Sequence, residues 1–458
     1  MDNTLSPTVS PEAAAPAAAS RPLRTDFYLW GTYLVLVMAA LVELFSASIQ
    51  EVTDGNIFGP VVRHGTFIAI GLVIMFICQR MHYRFIYGLI PPFVLGCIVL
   101  MVGVHFAGSE GTINEAKRAL VVGGVQILPA DALKLAVALG MAWILTRFRD
   151  RTRKATHDIT TGGLVACIIF MLVCAGLLFE HGLSNTIIVL AIGFAMMLVG
   201  GMSWKKFGIA LLVVGGLGAA AFYVKTHRAP DPAVVERQER VAQLNQTEVD
   251  EAAGQGRGTV WNNRIADHFR PNKHLEPFSS EHQQEQLSYM AQAHGGLTGV
   301  GIGMSRENAR LPLAYSDYIF AIIIEEFGLF VGLFLLAVYM WILGRSAKLT
   351  MQFKQTLPAL LAMGCAFTIV FQALYHMAIV SGLFPVSGQP LPLISKGGVS
   401  VLATSLAFGI MLSVARHAVR VTDTGDQARQ ETDLLPNTAV SDNPTMVAPP
   451  VKTPDNAK

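Results

Sequence analysis

Apolar residues run along this chain in blocks of about 20, too long for strands and too uniformly apolar for a helix with one wet face. Stretches such as TYLVLVMAALVELF, GGLVACIIFMLVCAGLLF and GLFVGLFLLAVYMWIL carry almost no charge. A helix rises about 1.5 Å per residue, so each block crosses a hydrocarbon core of about 30 Å. The pattern predicts spans near 28–48, 64–80, 84–105, 128–147, 159–179, 184–201, 205–224, 318–343, 355–383 and 389–415. The expected fold class is an all-α polytopic integral membrane protein with about ten transmembrane helices.

The basic residues between these blocks test the count. Arg21 and Arg24, Arg80 and Arg84, the run Arg147, Arg149, Arg151, Arg153 and Lys154, then Lys205 and Lys206, Arg345 and Lys348, and finally Arg416 and Arg420 all fall on one side if the spans number ten. That is the positive-inside pattern, and it assigns both termini to the cytoplasm. One loop, residues 225–317 between the seventh and eighth spans, is polar and far longer than the others. It lies on the outer face and should contain short helices or docked segments. Its first part allows one polar helix between Pro232 and Gly254. Residues 1–24, rich in Ala and Pro and lacking the basic and apolar blocks of a signal peptide, and residues 421–458 read as disordered cytoplasmic tails flanking a membrane domain at 25–420.

Composition agrees: of 458 residues, 52% are hydrophobic and 14% charged, where a soluble domain carries roughly 25% charged. The net charge of +2 offers no basis for nucleic-acid binding. All five cysteines lie in or beside apolar blocks, which fits neither a disulfide framework nor a zinc cluster. No glycine-rich loop ends in GKS or GKT, and no HExxH occurs; HGGLTGVGIG has no strand before it, so it is not a dinucleotide fingerprint.

Ionisable residues in or beside a span are costly and mark functional candidates. In NARLPLAYSDYIFAIIIEEFG, Asp317 follows Arg310 and precedes an apolar helix, where it is either a cap or a working carboxylate. Glu325 and Glu326 follow it; Glu325 falls inside the predicted span, a little over two turns below Asp317, and must titrate or meet a base. Asp131 and Lys134 open the fourth span at i and i+3: either they pair locally, or Lys134 faces the bundle and meets an anionic group. Lys117 and Arg118 lie in the preceding outer loop. The run GLFPVSGQPLPLISKGG, with Lys396 near its end, resembles a re-entrant turn, although glycines placed for helix packing also account for it. Two classes compete on this pattern. A secondary transporter concentrates ionisable groups at the midplane, whereas an enzyme acting on a lipid-linked substrate places them near the outer helix ends, the distribution seen here for Arg118, Lys134, Arg310, Asp317 and Lys396.

Four stretches carry a family resemblance: INEAKRALVVGGVQILPADALKL at 113–135, QLSYMAQAHGGLTGVGIG at 286–303, LPLAYSDYIFAIIIEEFG at 311–328, and QALYHMAIVSGLFPVSGQPLPLISKGGVSVLATSLAFGIMLSVAR at 372–416. On these the chain resembles the SEDS family (shape, elongation, division and sporulation; FtsW, RodA and SpoVE), and within it the division branch more than the elongation branch. The resemblance implies a bacterial inner-membrane glycosyltransferase that polymerises lipid II into glycan strands at the septum, outside the membrane. Its implied partners are a class B penicillin-binding protein, which crosslinks, and other divisome membrane proteins.

The family's essential outer-loop aspartate falls on Asp317, giving that residue a catalytic role, and its substrate-groove positions fall near Arg118, Lys134 and Glu326; Arg310 and Lys396 join these as substrate-binding candidates from their place at the outer helix ends. The implied chemistry is a single inverting displacement, with Asp317 taking the proton of the acceptor hydroxyl and cations meeting the departing pyrophosphate. No cofactor is established by the resemblance, and a divalent cation is compatible with it. Several family features are altered: a tyrosine becomes Lys396, an asparagine becomes His376, an aromatic becomes Ala119, a serine-glutamate pair becomes Ala130 and Asp131, and a proline-aspartate pair becomes His181 and Gly182. A lipid II flippase or a scaffold that recruits the crosslinking enzyme are the alternatives.

Overall fold

The computed structural model describes residues 25–47, 58–106, 112–113, 116–117, 120–122, 125–149, 158–179, 182–227, 268–269, 283–311, 314–353 and 355–417. The two tails, Arg118 and the polar helix expected between Pro232 and Gly254 lie outside the described residues. Seven helices come first: α1 (Phe27–Ala47), α2 (Phe58–Arg80), α3 (Tyr83–Phe106), α4 (Pro129–Arg147), α5 (Thr161–Phe179), α6 (Leu183–Val199) and α7 (Trp204–His227). Five follow the long loop: α8 (Gln283–Gly295), α9 (Ile319–Phe327), α10 (Leu329–Gln352), α11 (Thr356–Val380) and α12 (Gly398–His417). Two small hairpins, β1 (Thr112–Ile113) with β2 (Ala116–Lys117) and β3 (Leu120–Val122) with β4 (Val125–Ile127), lead into α4.

Among the described residues eight helices are long and apolar enough to cross a membrane, fewer than the expected ten. The other two expected spans, the first and the sixth, correspond to shorter apolar helices, Phe27–Glu43 and Leu183–Val199. Helix α1 itself runs on to Ala47, and α6 ends at its C-cap Gly200, which is followed by Gly201 at φ 79°. The protein is a multi-pass, all-α membrane protein.

Helices α4 and α11 form the centre and are buried over most of their length. Small residues let the backbones approach: a Cβ on Gly364 of α11 would lie 3.3 Å from Ala138 of α4. Helix α12 lies along α2 in the same direction, with Gly398 against Phe67, Gly71 against Ser405, and Gly409 against Met75 and Cys78. It therefore starts level with Phe67, well inside the bundle. At the opposite end, Asp26 caps α1 through Tyr28 N and Leu29 N and pairs with Arg345 Nη2 at 2.6 Å, tying α1 to α10.

The expected span at 318–343 is not one helix. Helix α9 is a buried segment of nine residues, broken from α10 at Gly328 (φ 85°, ψ 169°). A Cβ on Gly332 would sit 3.0 Å from Ile324 Cγ1 and 3.4 Å from Phe320 Cζ. In a continuous helix those residues would be more than two and three turns away, so α9 folds back beside α10. The break is held by backbone bonds from the glycine-rich segment after α8: Val300 N to Glu325 O and Gly301 N to Glu326 O, both 2.9 Å, and Leu329 N to Gly296 O at 3.0 Å. Side chains at Gly295, Gly299 or Gly328 would overlap this facing backbone. HGGLTGVGIG is thus a backbone-to-backbone clasp. Reversing α9 corrects the expected depths as well: Glu325 and Glu326 lie at the hairpin bend, and Asp317 is the deeper group.

The expected last span, 389–415, is likewise shortened to Gly398–His417, because residues 381–397 form an irregular turn that re-enters the bundle. Pro392 O accepts the Tyr339 hydroxyl at 2.6 Å. Tyr339 lies about 15 Å along α10 from the bend, which measures how far the turn descends.

Gly328→Ala should destabilise the purified protein by about 2–4 kcal/mol, from a disfavoured φ plus overlap with Leu297. Gly216→Ala on α7, where nothing lies within 4 Å, is the control and should be neutral or mildly stabilising. Thermal denaturation in detergent reads both.

Candidate functional site

Asp317 stands in the turn that enters α9, beside the re-entrant turn at 381–397. The N-cap of α9 is Tyr318, whose side chain makes no capping bond. Ser316 Oγ donates to Asp317 Oδ1 at 3.0 Å. The other carboxylate oxygen rests against Gly388, where a Cβ would come within 2.8 Å of Oδ2. A side chain at 388 would push the carboxylate aside. The two turns are fastened to each other: Ser395 Oγ donates to Ser316 O at 2.7 Å while accepting from Leu391 N at 2.7 Å, and Lys396 N donates to Tyr315 O at 3.1 Å.

The Lys396 ammonium lies over the Tyr315 ring at 5.1 Å from its centroid. Its half-buried setting lowers its pKa to about 8 by desolvation. Burial, then the Asp317 charge, raises the Tyr315 phenol, and the Arg63 charge on α2 opposes them. Asp317, Tyr315, Lys396 and Arg63 therefore form one electrostatic neighbourhood. Arg63 was missed by sequence reasoning because it lies in the first turns of a span, without a neighbouring motif. Leu393, at φ 67° in the same turn, is a bulky residue in a left-handed conformation, so local strain is held there by the surrounding bonds.

Lys134 is 0% exposed and satisfies both readings left open by its spacing. Its Nζ donates to Asp131 Oδ1 at 2.7 Å, to Gln389 Oε1 at 2.9 Å and to Gln372 Oε1 at 3.3 Å. An ammonium has three protons, and three acceptors surround this one. Gln372 Nε2 donates onward to Pro390 O at 3.0 Å, and His376 Nδ1 bonds Gln389 O at 2.6 Å, which fixes its proton on Nδ1. Gln372, His376 and Gln389 passed unnoticed in the sequence because amides inside apolar helices and turns carry no spacing signal.

Glu326 and Arg310 stand apart from Asp317, at the opposite end of α9, about 13 Å along its axis. Glu326 accepts the Ser46 hydroxyl of α1 and lies in the field of Glu43. Glu325 accepts Ser305 Oγ at 2.5 Å and Arg306 N at 3.0 Å, and His294 Nδ1 lies 3.6 Å from it and 3.5 Å from Glu307. Glu325 thus meets a base, as one sequence reading required. Arg310 is 67% exposed and 3.9 Å from Glu307. Among the described residues no group of three or more His, Cys, Asp or Glu side chains is arranged to hold a metal ion. The arrangement offers a carboxylate walled by backbone, with a cation over an aromatic beside it, at the foot of a re-entrant helix.

Residues 26–420 match the model of the FtsW/RodA/SpoVE family, described as cell cycle protein. The peptidoglycan glycosyltransferase MrdB of Escherichia coli K12 is 28% identical over 84% of this chain and 93% of its own length. A probable peptidoglycan glycosyltransferase FtsW of Xanthomonas oryzae pv. oryzae is 27% identical over 87% of this chain and 74% of its own. Among solved structures, a chain from a peptidoglycan synthase complex that coordinates polymerization and crosslinking superposes with a TM-score of 0.59 at 23% identity, over 86% of this chain and 98% of that one. The rod shape determining protein RodA of Thermus thermophilus gives 0.57 at 20% identity, over 88% and 99%. These structural likenesses speak to the fold.

Lys134→Met should cost about 3 kcal/mol, because it leaves Asp131 and two amide oxygens without their shared donor. Replacing both members, Lys134→Met with Asp131→Leu, should recover part of that loss. Unfolding free energies of the purified variants decide the matter.

Proposed function

Because the chain belongs to the FtsW/RodA/SpoVE family of cell cycle proteins, we propose that it is a peptidoglycan glycosyltransferase polymerising lipid II on the outer face of the bacterial inner membrane. The observation that carries this reading is the Asp317 carboxylate, braced by Ser316 and Gly388 and lying in the same neighbourhood as the Lys396 and Arg63 cations. A glycosyl transfer from a polyprenyl pyrophosphate needs a group that accepts the proton of a weak hydroxyl nucleophile, and cations that meet the charge gathering on the leaving group. Asp317 serves as the base at the 4-hydroxyl of the acceptor's N-acetylglucosamine. Direct displacement inverts the anomeric centre, so an α-linked donor gives a β-linked strand.

Lys396 is the cation we assign to the pyrophosphate, with Arg63 of α2 beside the same tyrosine and Arg118 a further candidate from the family resemblance alone. Lys134, whose protons are already taken up, acts on the site from behind. Glu326 and Arg310 lie at the distal end of α9 and contact substrate away from the reacting groups. The partner is a class B penicillin-binding protein, in keeping with the peptidoglycan synthase complex to which the fold is similar. Both termini are cytoplasmic by the charge pattern, and the site of action is the septum.

Asp317→Asn, purified as the full chain with its crosslinking partner and given lipid II, should stay folded and lose about 10²–10⁴-fold in strand polymerisation. Undiminished polymer would remove the general-base assignment. Lipid II movement across liposomes, scored separately, tests the flippase reading: movement lost in Asp317→Asn from a wild type that makes no polymer would favour it.

The pH profile carries a second test. The Lys396 ammonium is charged below about 8 and loses its proton above it, so kcat/KM should fall as pH rises through about 8. Lys396→Arg, which stays charged, should keep its rate to about pH 9.5. An unchanged high-pH limb in that variant would dissociate Lys396 from the leaving group.

A further inference from the structure

The re-entrant turn is held from two sides at one residue. Gln389 is buried; its side-chain oxygen accepts from Lys134 of α4 at 2.9 Å, and its backbone oxygen accepts from His376 of α11 at 2.6 Å. On either side of it, Pro390 O is bonded to Gln372, and Gly388 abuts the Asp317 carboxylate. Gln389 N also bonds Ser387 O at 2.8 Å, which tightens the turn at the point where it meets Asp317.

We infer that Gln389, clamped between Lys134 and His376, is a positioning residue for Asp317: it sets the 387–390 turn whose Gly388 forms the wall against which the carboxylate rests. The logic is geometric. Asp317 accepts the Ser316 hydroxyl from its own segment, and Gly388 of another element lies against its other carboxylate oxygen. That element is irregular backbone, which has no ladder of its own to fix it. Tyr339, Ser395 and the Lys396 nitrogen hold its far end, whereas the end next to Gly388 is held by side chains of the two central helices, at Gln389 and Pro390. Lys134 supplies an anchor that is immobile because it is wholly buried and already paired with Asp131.

The positions of nucleophile and base relative to substrate are steeply coupled to rate, a displacement of about 1 Å costing as much as about 10²-fold. Loosening the 387–390 turn removes the back wall of Asp317 without touching substrate. The expected signature is a loss in kcat with KM for lipid II nearly unchanged, distinct from the loss of folded protein that a purely structural residue gives.

The test uses the full chain and three variants. Gln389→Leu keeps the volume and removes the acceptor for Lys134. Gln389→Glu keeps an acceptor there. Gly388→Ala pushes on the carboxylate directly. Backbone hydrogen exchange is measured first, because it does not depend on the proposed polymerase activity, on which only the kinetic arm rests. In Gln389→Leu, exchange should quicken at residues 386–397 and 314–318 and stay at the wild-type rate in α5 and α7. In Gln389→Glu it should return toward wild type.

With lipid II and the crosslinking partner, Gln389→Leu and Gly388→Ala should each lower kcat by about 10²-fold, with KM within about twofold and the melting temperature within a few degrees. The double variant should be little worse than either alone, since both act on one wall. Unchanged exchange at 314–318 in Gln389→Leu overturns the inference whatever the activity. So does a kcat in that variant equal to wild type, or a loss that merely tracks the folded fraction. A wild-type protein that makes no polymer while the exchange pattern holds would overturn the polymerase reading and leave the positioning role standing.

Discussion

Irregular backbone placed at membrane depth must find every hydrogen-bond partner inside the protein, because hydrocarbon offers none. Two such segments meet here, the turn before α9 and the turn before α12, joined by Ser395 Oγ to Ser316 O and Lys396 N to Tyr315 O. Ser395, Tyr339, Gln372 and His376 each direct a side-chain bond at a backbone atom of one turn or the other. The result is a polar floor inside an apolar bundle, with Asp317 on it. Its depth follows from the fold-back of α9, which carries the chain from the bend at Gly328 down to the floor.

The same fold-back separates the charges. Lys134 and Asp131 neutralise each other beneath the re-entrant turn, whereas Glu43, Glu307, Glu325 and Glu326 gather at the bend with His294 and Arg310. Had α9 run straight into α10, Glu325 and Glu326 would lie in the span, facing apolar neighbours. Folded back, Glu325 reaches Ser305 and Arg306 N in the segment that follows α8, and His294 in the last turn of α8. The glycines of that segment permit the close approach, so the acidic pair and the glycine-rich run are two halves of one contact.

Hydropathy made the helices legible, along with the direction in which the charges alternate. Helix α4 was visible within a residue or two, since Pro129 and the apolar run after it mark its start. What hydropathy could not show was the break at Gly328: IFAIIIEEFGLFVGLFLLAVY is continuous in apolar character, and a window average passes over one glycine. The start of α12 was misplaced for a related reason, because LPLIS is as apolar as a helix and differs only in the backbone that Leu393 adopts. Asp317 and Lys396 were legible as ionisable groups near spans. Gln389 and Gly388 were not, since their roles depend on contacts between segments far apart in sequence, which no local pattern encodes.

The departures from the family pattern bear on whether the site is intact, and the bonds around them answer in physical terms. Asp131 stands where the resemblance places a glutamate, one methylene shorter, yet it reaches Lys134 at 2.7 Å because i and i+3 already face each other on the helix. His376 stands in place of an asparagine, and its Nδ1 supplies a donor to Gln389 O. Lys396 stands in place of a tyrosine, and the bond that fastens the two turns at this position runs from its backbone nitrogen, which no side-chain change removes. These three altered residues thus sit in a connected framework. Of the three, only Lys396 adds a cation, and it lies over the ring of Tyr315, two residues before Asp317.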